Sequence, residues 1–175
     1  MQVLSKTIPN LEDFRDYCRS LVPLMQPSFS TLTTRRLELW LFNKVHLGNG
    51  TVSPGHFDDR LYNFCRRIYL SCNIGLLTYH GKLNGGSSGL IKPHKDHAYA
   101  MPRAVTINLG EAEFAIDGKL YKLNDGDICE FNCKFTHSVP QILSVERFSL
   151  VLWQLNEAKG FRSLRGGTPS QMMHP

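Results

Sequence analysis

No stretch of this chain approaches the roughly 18 consecutive apolar residues that a membrane-spanning helix needs, so the sequence carries no such span. The opening "MQVLSKTIPNLEDF" lacks the basic-then-apolar layout of a secretory leader. Cys-x-x-Cys pairs are missing too. The cysteines, Cys18, Cys65, Cys72, Cys129 and Cys133, are odd in number and scattered. A chain of 175 residues has core enough to need no disulfide staples, so they read as reduced thiols in a cytoplasmic protein. Acidic residues are in short supply, 15 against 20 lysines and arginines, which leaves a net charge of +5. That balance favours a polyanionic partner such as nucleic acid, through phosphate neutralisation.

What is there is an ordinary globular mixture, 42% hydrophobic and 20% charged, with no internal repeat. A single domain over 1–175 is expected, divided into a helical N-terminal support or lid region (1–73), a β core (74–155) and an irregular tail (156–175). In "NLEDFRDYCRSLVPLM", Leu11, Phe14, Tyr17, Cys18, Leu21 and Val22 recur at helical spacing behind a candidate cap at Asn10, and Pro23 and Pro27 close the segment. "FDDRLYNFCRRIYLSCN" reads as a second amphipathic helix. "TTRRLELWLFNKV" is ambiguous between strand and helix, and "HLGNGTVSPGH" reads as loop. From Ile74 onward, "IGLLTY", "AVTINL", "EFAID", "KLYKL", "DICEFN", "HSVPQI" and "RFSLVLWQL" are short β-rich runs. The turn signals "NGGSSG", "DGK" and "NDGD" separate them, which predicts a sandwich or jelly roll.

The stretch "IKPHKDHAYAMPRAVTINLG" places His94 and Asp96 two residues apart, just ahead of a strand-like run. Residues i and i+2 at a strand end share a face, so both side chains reach toward one point. His137 follows 41 residues after Asp96, and Arg147 ten residues after that. Two imidazoles and one carboxylate make a facial triad, which leaves coordination positions open and suits non-haem Fe(II). An arginine supplies a permanent charge and a planar fork for a carboxylate, so Arg147, with Ser149 two residues on, is a candidate anchor for a co-substrate.

The ordered set His-x-Asp, distal His, Arg-x-Ser resembles the Fe(II)/2-oxoglutarate-dependent dioxygenase superfamily over 74–155. The resemblance implies a double-stranded β-helix with flanking N-terminal helices. It also implies Fe(II), 2-oxoglutarate and O₂ as cofactors and co-substrates, with His94, Asp96 and His137 on the metal and Arg147 and Ser149 on the keto acid. The implied reaction couples oxidative decarboxylation of 2-oxoglutarate to oxidation of a substrate C–H bond. Locally, "LLTYHG", His-x-Asp and "RAVTINLG" are similar to the AlkB-type nucleic-acid demethylases, in which Tyr79 would match a tyrosine that hydrogen-bonds 2-oxoglutarate. Tyr79 reads equally well as core packing. Leu77, Ser149 and Trp153 depart from that family's asparagine, asparagine and second arginine.

A methylated nucleobase in DNA or RNA is therefore the first substrate candidate. The chemistry would be hydroxylation, or demethylation through a hemiaminal that sheds formaldehyde. Arg103, Arg35, Arg36 and Trp40 are the candidate substrate residues. With Lys44 and Phe42, the last three would suit a lid that stacks a base, or else a segment that packs its aromatics onto the sheet. His97 reads as a surface or neighbouring histidine, and Cys129 and Cys133 as core. The alternatives are a hydroxylase of a small metabolite or a protein side chain, and a cupin-like module that binds metal without redox turnover. Nothing in the sequence specifies an oligomeric state.

Overall fold

Phe148, Leu150 and Leu152 point one way along a single strand, while Arg147, Ser149 and Val151 point the other. That alternation, period two, organises the molecule. The structure is a computed structural model that describes residues 1–46, 50–81, 90–159 and 162–163. In chain order the elements begin with β1 (Gln2–Val3), α1 (Leu11–Ser20), β2 (Gln26–Pro27), β3 (Leu37–Leu41), β4 (Asn43–His46), β5 (Thr51–Pro54) and α2 (Asp59–Ile68). The core strands follow as β6 (Ile74–Gly81), β7 (Ile91–His94), β8 (Ala100–Leu109), β9 (Ala112–Ile116), β10 (Lys119–Leu123), β11 (Ile128–Asn132), β12 (His137–Val139) and β13 (Glu146–Leu155). A short β14 (Arg162–Ser163) comes last.

The major sheet runs β1-β11-β8-β13-β6-β3-β2, and the minor sheet β10-β9-β12-β7. All pairings within these two sheets are antiparallel. They face one another as a jelly roll, with a small sheet β14-β5-β4 beside them. The helices cover the outer face of the major sheet. There Phe14, Cys18, Leu61 and Phe64 pack against Leu77, Ile107, Phe148 and Leu150 in one buried cluster. Burying a side chain of that size contributes about 1.5–3 kcal/mol. A second cluster, including Phe114, Ile116, Phe131 and Trp153, fills the space between the sheets. Central strands β8 and β13 are thus buried on both faces, which explains their nearly unbroken apolar runs.

Local signals account for the element ends. Asp58 caps α2 by accepting from the backbone N–H of Leu61 at 2.8 Å, and Arg66 and Arg67 sit in its last turn, where the helix dipole favours cations. Asp117 and Gly118 both take positive φ, 50° and 74°, in the tight hairpin between β9 and β10 that "DGK" predicts.

All seven strand runs expected from Ile74 onward are present, and both helices form within the expected segments. The N-terminal third differs from the expected helical region. Among the described residues there, only α1, α2 and one short 3₁₀ turn are helical, and the five strands β1 to β5 lie between and around them. The ambiguous segment resolves as β3, pairing with β6 from Leu37↔Tyr79 to Leu41↔Gly75 and extending the major sheet. The expected loop 46–56 contains β5. Strand β7, interrupted by Pro93, carried no strand signal of its own. The turn expected at 84–89 and most of the tail lie outside the described residues. All five cysteines are buried free thiols, and burial pushes most of them up to about 12, so they stay protonated. Among the described residues no helix is long and apolar enough to cross a membrane.

Candidate metal centre and co-substrate cavity

His94 ends β7, His137 begins β12, and the two are directly paired across that ladder. Their rings lie 4.4 Å apart, centroid to centroid. Asp96 follows in the turn after β7, where its backbone N–H donates to Cys133 O at 2.9 Å. The structure thereby gathers three groups separated by up to 43 residues of chain, with one ligand atom from each within 4.8 Å of the others. Asp96 Oδ1 stands 3.5 Å from His94 Nε2 and 3.4 Å from His137 Nε2. Metal–ligand bonds of about 2.1 Å put adjacent octahedral ligands about 3 Å apart, so a small inward shift would complete the coordination.

The tautomers suit a metal. His94 Nδ1 donates to Lys92 O at 2.8 Å and His137 Nδ1 to Phe135 O at 2.9 Å, so each ring's Nε2, the nitrogen that bonds Asp96, is the one left to ligate a cation once it gives up its proton. Trp153 donates its indole N–H to Asp96 Oδ2 at 2.8 Å, so the second carboxylate oxygen is held away from the shared point. Burial alone would raise the Asp96 carboxyl. Hydrogen bonds to His137, His94 and Trp153 overcome that and hold it well below the usual carboxylate range. Burial would lower His94, but its bonds to Asp96 and Lys92 O raise it. The donor set, two imidazoles and one carboxylate that stays ionised, fits a divalent iron ion.

The triad opens onto a cavity of about 480 Å³ between the sheets, and Arg147 and Ser149 also line it. Arg147 is 2% exposed. Its Nε donates to Asn108 Oδ1 at 2.8 Å, and Asn108 in turn donates to Gly110 O and Asn124 O. Its Nη1 is buried with no partner among the described residues, and burial together with the neighbouring Arg36 pushes the group down to about 10. A buried donor without an acceptor calls for an explanation. Ser149 meets Thr106 Oγ1 at 3.1 Å, and Thr78 and Thr106 add hydroxyls to the wall.

Other expectations fare differently. Tyr79 does not face the cavity: β6 alternation turns it to the helix side against Phe148, ring centroids 4.9 Å apart, and sends Thr78 inward instead. Arg103 is on the helix side of β8, paired with Glu130 at 2.7 Å and stacked over Tyr69, away from the cavity. Arg35 is exposed and does not line it, whereas Arg36, Glu38 and Trp40 do. Lys44 lies exposed on β4, and Phe42 is core. His97 lines the cavity, its ring 6.2 Å from Trp153. Sequence reasoning missed Trp153 and Asn108 as supports, and Phe29, which is 92% exposed at the cavity rim. The strand parity of Asn108 and Trp153, which match Arg147 across β8 and β13, was the available signal for the first two.

No family model matches the chain, and no curated protein matches it in sequence. Solved structures do match. OsALKBH1 superposes at TM-score 0.66 with 17% identity, covering 87% of this chain and 95% of its own. NgTET1, in complex with 5mC DNA, superposes at 0.62 with 14% identity, covering 94% and 75%. An oxidoreductase of the 2OG-Fe(II) oxygenase family from Burkholderia pseudomallei superposes at 0.55 with 18% identity, covering 81% and 77%. Around this His-Asp-His cluster the chain thus shares its fold, at low identity, with OsALKBH1, with NgTET1 and with a protein of the 2OG-Fe(II) oxygenase family.

Proposed function

We propose that the protein is an Fe(II)- and 2-oxoglutarate-dependent dioxygenase that oxidises a C–H bond, with a methylated nucleobase as substrate. The observation that carries this reading is the convergence on one cavity of the triad and of Arg147, whose Nη1 has no partner among the described residues. His94, Asp96 and His137 would hold the ferrous ion, whose chemistry is to reduce O₂ with electrons from the keto acid. Overall, substrate C–H, 2-oxoglutarate and O₂ become substrate C–OH, succinate and CO₂. On an N-methyl group the resulting hemiaminal releases formaldehyde.

The chain's own residues do the rest. Trp153 fixes the Asp96 carboxylate in a one-oxygen pose. Arg147, oriented by Asn108, binds the distal carboxylate, and the threonine hydroxyls pack along the keto acid. Apolar walls from Leu123, Phe131 and Val151 exclude water from the reacting centre. For the substrate, Trp40 and the exposed Phe29 offer flat faces on which a base can stack, and the net charge of +5 favours a phosphate-bearing chain. The matches to OsALKBH1 and to NgTET1 in complex with 5mC DNA are in keeping with this reading.

A smaller substrate is the second reading. It is favoured by the pairing of Arg103 with Glu130 and of Arg36 with Glu38, which engages two cations that would otherwise track a phosphate backbone.

The test is succinate formation from 2-oxoglutarate with Fe(II), with methylated oligonucleotides and with a panel of amino acids and small metabolites. Stimulation by oligonucleotides alone, weakened as salt rises, supports the nucleobase reading. Stimulation by the metabolite panel alone supports the second. Metal binding with no turnover under any condition rejects both in favour of a binding module.

A further inference from the structure

Arg36, Glu38 and Trp40 alternate along β3 and the residue before it, and all three line the cavity. They bring charge to it as well as a flat face. Among the described residues that line the cavity, the only carboxylates are Glu38 and Asp96. Glu38 is bound to Arg36 at 3.0 Å, and Asp96 belongs to the triad and takes the indole N–H of Trp153. Against these two stand three cations, Arg36, Lys95 and Arg147. A ferrous ion and a doubly charged keto acid cancel one another, so loading the centre leaves the positive surplus in place. No carboxylate is left over to meet a positively charged substrate.

The unused polar atoms agree with the charge count. Both ring nitrogens of His97 and the Nε of Arg36 are buried with no partner among the described residues, and both side chains line the cavity. The His97 ring stands 6.2 Å from the rings of Tyr99 and Trp153. Its backbone carbonyl accepts from Lys134 Nζ at 2.6 Å and from the Ala100 N–H at 3.2 Å, so the loop that carries it is held from two sides. An imidazole keeps at least one N–H whether or not it is charged, and it has no negative charge to offer; a guanidinium only donates. Donors buried in this way call for acceptor atoms on whatever fills the cavity.

Methylating N3 of cytosine or N1 of adenine does two things at once: it adds a positive charge, and it removes a lone pair that could accept a hydrogen bond. Methylating C5 of cytosine or the exocyclic nitrogen of adenine does neither. We propose that the cavity takes a neutral methylated base and rejects a cationic one, with His97 and the Arg36 Nε–H donating to lone pairs on the base. The inference rests on the nucleobase reading above and narrows it. His97 and Arg36 become specificity-determining residues, and the methyl group that is oxidised sits on carbon or on an exocyclic nitrogen. A cation in their place would lose an acceptor and bring a charge that no wall of the cavity offsets.

The experiment is fluorescence anisotropy of the full chain with Fe(II) and 2-oxoglutarate, under exclusion of oxygen, so that binding is read without turnover. The probes are labelled single-stranded oligonucleotides that differ at one base: cytosine, 5-methylcytosine, 3-methylcytosine, adenine, N6-methyladenine or 1-methyladenine. Wild type should bind at least one neutral methylated base about a hundredfold more tightly than its cationic isomer, the worth of a lost acceptor and an unmet charge. His97→Phe, which keeps a ring without its nitrogens, should weaken that neutral base about tenfold and leave the cationic isomer within about twofold. His97→Asn, which restores an N–H, should recover most of the loss. Arg36→Met frees the Glu38 carboxylate, so it should weaken the neutral base and tighten the cationic one. Cationic bases held by wild type as tightly as their neutral isomers overturn the proposal. So does a parallel shift for both isomers in either variant, which would mark a purely structural role. Should a variant fail to fold, the wild-type ranking decides. Methylated oligonucleotides that all bind no better than their unmodified parents, with metal and 2-oxoglutarate bound, overturn the nucleobase reading itself, a result distinct from the others.

Discussion

Trp153 Nε1 and Asp96 Oδ2 lie 2.8 Å apart, across 57 residues of chain, and that bond ties the central strand β13 to the metal centre. Trp153 supplies a neutral donor, so it orients Asp96 without competing with the ion for its charge. Partners that orient a ligand commonly cost tenfold or more in metal affinity when removed. Trp153→Phe should therefore weaken Fe(II) binding about tenfold while keeping the fold, as read by anaerobic titration and circular dichroism. Undiminished affinity would show that the indole only packs.

Removing a ligand is harsher. His94→Ala or Asp96→Ala should abolish succinate formation and reduce metal binding at least a hundredfold, on the order expected when one of three protein ligands is lost. Thermal melting checks that the fold persists. Full activity in either variant would refute the triad.

Tyr79 offers a negative test. Its ring packs on Phe148 on the helix side of β6, whereas Thr78 faces the cavity. Tyr79→Phe should leave 2-oxoglutarate affinity within about twofold, since no hydrogen bond to the keto acid is lost. Thr78→Val should reduce it. The reverse pattern, measured by anaerobic equilibrium dialysis with labelled 2-oxoglutarate and Fe(II), would place the tyrosine in the site after all.

His80 makes a pH prediction. Burial first, and the charges of Arg147 and Arg36 next, lower it from 6.5 to about 3. Between those values the unfolded chain takes up a proton that the folded chain refuses. The stabilisation is full above pH 6.5 and is lost as pH falls toward 3. From pH 7 to pH 4.5, wild type should lose on the order of 2 kcal/mol more than His80→Asn in urea unfolding. Parallel losses in the two proteins would show that this imidazole is not held neutral by the fold.

The residues that bear charge were the easiest to read. His94, Asp96, His137 and Arg147 are polar groups in a fixed order on β-rich runs, and their spacing carried the expected chemistry without coordinates. Strand existence, β7 apart, was legible from Ile74 onward because turn signals such as Asp117-Gly118 separate the runs. The N-terminal third was harder. Trp40 and Phe42 fill the gaps in the Leu37-Leu39-Leu41 alternation, because β3 is covered on both faces, so the period-two signal disappears. Parity was the deeper difficulty. "LLTYHG" does not say which of its residues face inward, and an aromatic hydroxyl at Tyr79 was the obvious choice over Thr78 and His80. The register with Arg147 decides it, and register is a long-range property.

The pairing of β6 with β13 has a wider consequence. Displacing either strand by one residue would swap Thr78 for Tyr79 and Ser149 for Phe148, emptying the reaction chamber of its hydroxyls and stranding a guanidinium among the helices. The helices, which touch no reactant, thus act as proofreaders: by accepting only Leu77, Phe148 and Leu150 on their side, they dictate what the chemistry receives on the other.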